Sequence, residues 1–182
     1  MSREAGCRKR PGQNLLNMFA GQDRGQTREV FFRAWRAHRE GRPLEGVEKL
    51  IVQVVLRHPE YHALLEHPEP ARERDFFQEP DETAVQGRTN AARGRTPAAA
   101  NPFLHLGMHI AIEEQLSIDQ PRGIRGYYQK ILMRLPDEHA AQHHMMECLG
   151  EMLWQANRQA TAPQETVYLD CLKRLLGSPS KD

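Results

Sequence analysis

The chain has 182 residues, enough for one domain of ordinary size, but a hydrophobic fraction of 39% and a mean hydropathy of −0.71 are low for a chain packed from end to end. Its 25 basic and 24 acidic residues nearly cancel, which removes the charge argument for binding nucleic acid or an anionic membrane. The segment from Met1 to Cys7 lacks an apolar signal core, and no apolar run approaches the roughly 18 residues of a membrane span, so a cytoplasmic protein is expected. Cys7, Cys148 and Cys171 are odd in number, show no paired spacing and read as reduced thiols in that compartment.

Residues 1–26 are rich in Gly, Gln and Arg and predict a flexible arm; the Arg8-Lys9-Arg10 triplet within it reads as a solvated tail. Thr27 can cap a helix whose apolar face carries Phe31, Phe32 and Trp35, and Gly41 with Pro43 stops it. A second helix from about Leu44 buries Val47, Leu50, Ile51, Val54 and Val55 until Pro59 interrupts it. Residues 67–100 shift to Pro, Glu, Arg, Gly and Ala with hardly any aliphatic side chain, and predict a mobile insertion. Asn101-Pro102 then restarts order, because Asn caps well and Pro is tolerated at the first helical position; that helix should reach Ile118. Further helices are predicted from Gly123 to Leu135, from Asp137 to about Arg158, and through Val167 to Gly177.

No stretch alternates with period two. The predicted fold is all-α: an antiparallel bundle of about five to six helices, one domain made of residues 27–66 and 101–177.

The most informative pattern is His-x-x-x-His-x-x-x-Glu, which occurs as His58, His62 and Glu66, as His105, His109 and Glu113, and as His139, His143 and Glu147. A four-residue step on an α-helix turns about 400°, so each triplet forms a slowly drifting row. With His105 at 0°, His109 falls at about 40° and Ile112 and Leu116 within about 20° of zero, so these histidines point where the aliphatic residues point. On the later helix His139, His143, Met146, Gly150, Leu153 and Trp154 share one arc, with Glu147 at its edge and His144 outside it.

Inward imidazoles need partners, since a buried polar group without one costs about 1–3 kcal/mol. A divalent metal satisfies several at once, so His105, His109, His139 and His143 are candidate ligands for one or two ions. A row spans about 12 Å along the axis, too far for one ion to take all its members. Glu113 and Glu147 therefore either hold a second ion or orient an imidazole. His58 and His62 are further candidates, although Pro59 disfavours helical geometry at His58 and breaks the row there. Glu48 is an outside candidate, and His38 beside Phe31 and Trp35 reads as a core histidine. Neutral imidazole with carboxylate suits zinc, iron or manganese. No nucleophile motif, phosphate loop or Cys-x-x-Cys pair is present, so enzyme activity is left open.

Asn-Pro-Phe-Leu-His-Leu-Gly-Met-His from 101 to 109 and Asp-Glu-His-Ala-Ala-Gln-His-His-Met-Met-Glu from 137 to 147 resemble the uncharacterised bacterial family called domain of unknown function 1841. Phe-Phe-Arg-Ala-Trp at 31–35 and His-Pro-Glu-Tyr-His at 58–62 look like the beginning of the same family. The resemblance implies no activity. A second reading therefore stands beside the metal site: a non-enzymatic interaction or adaptor protein with a metal-free His/Glu network, whose polar segments order on a protein partner.

Overall fold

The computed structural model describes residues 24–69, 101–135 and 137–177, so most of the predicted arm and most of the predicted insertion lie outside the described residues, and residues 24–26, expected in the arm, are helical. Among the described residues there are seven α-helices and no strand: α1 Arg24–Arg39, α2 Val47–Leu56, α3 His62–Glu66, α4 Pro102–Ile118, α5 Ile124–Leu132, α6 Glu138–Arg158 and α7 Glu165–Gly177. The all-α expectation holds. The helix beyond the expected six is the five-residue α3, which follows the break at Pro59.

Local chemistry sets the boundaries. Helix α1 ends in a glycine-terminated turn: Gly41 adopts φ 66°, its N–H donates to the His38 carbonyl and that of Arg42 to the Ala37 carbonyl. Helix α2 starts later than Leu44 because Gly46, at φ 51°, holds the chain outside helical geometry. It stops before Pro59: His58 is extended at φ −126°, ψ 67°, a 3-10 turn Pro59–Tyr61 follows, and α3 resumes on a new axis. Asn101 Oδ1 accepts from the N–H groups of Phe103 and Leu104 at 3.1 and 3.2 Å, capping α4 with Pro102 in its first turn. Asp137 Oδ1 does the same for α6 through Ala140, at 2.8 Å.

Helix α4 is the shared element, packed on α2 from one side and on α6 from another, while α5 and α7 pack on α6 and α1 on α2. Its Phe103, Leu106 and Ile110 join Phe31, Phe32, Trp35, Ile51, Val54, Val55 and Leu65 in one apolar cluster. Its Met108, Ala111 and Ile112 join a second, with Ile124, Ala141, Met145, Leu149, Met152, Tyr168 and Leu172. Cys148 and Cys171, expected as separate reduced thiols, instead form a disulfide within this second cluster that ties α6 to α7, with Cα atoms 5.4 Å apart. Sequence spacing missed the pair because the two helices that carry it are brought together only by packing.

Candidate metal centre

The end of α2, the middle of α4 and the first turns of α6 meet at one point. There His58, His105, His109, His139 and His143 each offer a ring nitrogen, and these five atoms all lie within 4.8 Å of one another. His58 stands at the middle: its Nε2 is 3.0 Å from His105 Nε2 and 2.9 Å from His139 Nε2. Ring centres of His109 and His143 are 5.0 Å apart, and those of His139 and His143 are 4.3 Å apart. Two ligands at right angles on an ion with bonds of about 2.1 Å would be about 3.0 Å apart, and opposite ligands about 4.2 Å. The cluster is therefore of single-ion size and needs only a small contraction of its widest separation.

Hydrogen bonding decides where the protons sit. His58 Nδ1 lies 2.8 Å from the Val54 carbonyl, an acceptor only, so it carries the hydrogen and a neutral His58 turns a bare Nε2 lone pair into the cluster. A second chain fixes His109. The Glu113 carboxylate accepts from Arg57 at 2.5 Å and from the side-chain amide of Gln142 at 2.8 Å. That orients Gln142 so that its Oε1 faces His109 Nδ1 at 2.8 Å, which makes Nδ1 the donor and leaves Nε2 bare. His109 Nε2 is buried with no hydrogen-bond partner among the described residues. Two lone pairs are thus aimed inward by groups outside the cluster, the arrangement by which outer partners fix metal-binding imidazoles.

Burial keeps these rings neutral. Loss of solvation, reinforced by the neighbouring His58, lowers the His105 pKa to about 3. Burial outweighs the hydrogen bond to Gln142 and lowers that of His109 to about 2. His58 and His143 are also pushed down, mainly by burial, with His139 adding to both. Exposure grades across the site: His58 and His109 are buried, His105 and His139 half-buried, and His143 exposed. The cluster is closed at the His58 and His109 side and meets solvent at the His143 side.

The family described as Domain of unknown function (DUF1841) matches residues 23–174. The chain belongs to that family. Neither the curated proteins nor the solved structures contain a match to it. The match takes in all five clustered histidines and the Arg57, Glu113 and Gln142 side chains behind them, so in this family member the whole site lies within the shared domain.

Of the eight residues expected as ligands, five come together and three do not. His62 turns away: after the break at Pro59 its Nε2 donates to the Val55 carbonyl at 3.0 Å and its ring lies tilted against that of Trp35, centre to centre 4.5 Å. Glu113 stands outside the ring, engaged by Arg57 and Gln142, and reaches the cluster only through Gln142 and His109. Glu147 is exposed on α6, beyond the clustered atoms. Glu66 pairs with Arg39 and Glu48 with Arg33, while His38 lies 5.4 Å from the Trp35 ring. Sequence reasoning misses Gln142 and Arg57; Gln142 stands between His139 and His143 on α6, but its burial, at 1% exposure, is visible only in the structure. The expected arc on α6 also shifts, because its deepest side chains are Ala141, Met145, Cys148 and Leu149, which face α5 and α7, leaving Trp154 57% exposed.

Proposed function

We propose that this protein binds one divalent transition-metal ion through His58, His105, His109, His139 and His143, with Gln142, Glu113 and Arg57 orienting the ligands from outside. The observation that carries this reading is the buried Nε2 of His109, a lone pair held inward by Gln142 and without a partner among the described residues, beside the unprotonated Nε2 of His58. An all-imidazole set suits zinc or iron better than manganese, which favours carboxylate and water oxygen, and the 4.8 Å spread suits one ion rather than two.

The alternative, a metal-free network, draws support from the Nε2 contacts at 2.9 and 3.0 Å, each of which could be an N–H···N bond. His58 Nε2 has a single lone pair for two such donors, and no donor reaches His109 Nε2, so the network leaves one donor and one acceptor unserved. Metal analysis of protein purified without a polyhistidine tag, compared with a His58→Ala/His109→Ala variant, tests the choice. The expected result is near-stoichiometric zinc or iron in the natural chain, little in the variant, and a Tm that drops in chelator only for the former. Equal, negligible metal in both would leave the network as the answer.

No helix among the described residues is long and apolar enough to cross a membrane. A cytoplasmic location is part of this proposal. The Cys148–Cys171 disulfide argues against it, since reducing compartments keep most thiols free, and alkylation of native protein from its own cells decides the point.

A further inference from the structure

Resting on the metal reading above, we infer that the centre keeps one coordination position open toward solvent and that this position takes a small anion. The five side chains that converge are all imidazoles, and the clustered set contains no carboxylate. An M²⁺ ion held by neutral imidazoles retains its full double charge, and in a partly dehydrated site such a charge draws in a counter-charge.

Among the described residues no carboxylate joins the clustered nitrogens to supply that counter-charge. Glu113 is the acid behind the site, but Arg57 is bonded to it at 2.5 Å, and the neutral amide of Gln142 stands between it and His109. Glu60 lies on the rim, near enough to influence His58 and His143, but it is exposed and hydrated, and Arg57 acts on His58 in the opposite sense.

Access follows from the same graded exposure. The buried His58 and His109 form the floor, and the exposed His143 with the half-buried His105 and His139 border the open side. Tyr61, stacked 5.9 Å from His58 and edge-on 5.7 Å from His105, supplies a wall of lower dielectric constant than water, which leaves charge attraction at the site less screened. The five imidazoles would leave a six-coordinate ion such as iron(II) or cobalt(II) one position, on the His143 side, for a ligand from solvent. The ligand class is a compact monovalent anion: hydroxide formed from bound water, or an anionic oxygen or nitrogen donor competing with it.

The test uses the full chain loaded with cobalt(II), whose visible bands report its ligands, titrated with sodium azide at constant ionic strength and with ammonia, above about pH 9, as a neutral nitrogen donor no larger than azide; imidazole, a larger neutral donor, serves as a second control. Azide at millimolar concentration should shift the bands saturably and raise the Tm of the loaded protein while leaving chelated protein unchanged. Either neutral donor should need at least about tenfold more to act, because it lacks the Coulomb attraction to the ion. Cobalt bound with imidazole-type bands but indifferent to azide would overturn the open anionic position and leave the metal reading intact. Either neutral donor acting as strongly as azide would overturn the preference for an anion. Failure of cobalt to bind at all would remove both readings together.

Discussion

The two apolar clusters on either side of α4 are built from different materials. That of α1, α2 and α3 is aromatic: Phe103 meets Phe31 and Phe32 edge-on at 5.9 and 5.6 Å, with Trp35 buried in the same group. That of α5, α6 and α7 is mainly methionine, isoleucine and leucine around the Cys148–Cys171 bond, with Tyr168 as its one buried aromatic ring among the described residues. With Leu106 set at 0° on α4, Ile110 and Phe103 fall at about 40° and 60°, Met108 and Ile112 at about 200° and 240°, and His105 and His109 at about 260° and 300°. The histidines occupy the seam between the faces. Each half can bury apolar area alone, whereas the seam must be closed by polar groups drawn from both, and this is why His58 from one side and His139 and His143 from the other meet on α4.

The strongest way to break the comparison is Phe103→Ala. Phe103 is 4% exposed, and truncation should cost about 3–5 kcal/mol, mostly through the cavity left among the rings. Because α4 belongs to both clusters, urea unfolding followed by Trp35 fluorescence and by far-UV circular dichroism should move together to lower midpoint. Separate transitions for the two signals would mean that the halves fold independently and that the seam does not couple them.

Acid tests the seam itself. In chelated protein His105 and His109 have folded-state pKa values of about 3 and about 2, both below the ordinary 6.5, so the unfolded chain binds protons that the folded chain refuses. Stability from their burial is fully present above pH 6.5 and falls as pH drops below it, by at most about 1.4 kcal/mol per pH unit for each ring. The loss continues toward the folded values and then levels off. Denaturant titrations at pH 7 and 5 measure it, and stability that stays flat between them would show that these imidazoles are charged or exposed in the folded protein. Bound metal should steepen the fall, since protons then also displace the ion.

Gln142→Leu sharpens the comparison most finely. It preserves volume while removing the acceptor of His109 Nδ1 and one donor to Glu113, for a stability loss of about 1–3 kcal/mol. Metal affinity should fall about 10–100-fold, as when an outer orienting partner is lost. Unchanged affinity by competition with a chromophoric chelator would show that Gln142 does not set the His109 tautomer.

Several local signals in the sequence were read correctly, although Thr27, expected to cap α1, lies inside a helix that already starts at Arg24. Asn101-Pro102 and Asp137 cap the predicted helices, and Pro59 breaks the first histidine row. The i, i+4 pairs on α4 and α6 also meet as their spacing required. What spacing could not give is which neighbour each face meets. Helix α6 has three partners, so its buried face is chosen by α5 and α7 and its histidines end up half-buried and exposed. The central place of His58 was hidden for a related reason: the proline that spoiled its helical row is what frees its ring to turn into the cluster while Nδ1 stays tied to Val54. Gln142 and the disulfide depend on contacts across helices and leave no periodic trace.

The separation of the imidazoles along the chain has a consequence for synthesis on the ribosome. His58 meets His105 across 47 residues and His139 across 81, so the earliest-made member of the cluster waits for both. The aromatic half can begin to pack once α4 has emerged, but a complete ring of ligands forms only after the first turns of α6 leave the exit tunnel. The imidazole cluster is therefore completed late in the life of the nascent chain, and a chain truncated before His139 would present His58, His105 and His109 without the two imidazoles that complete it.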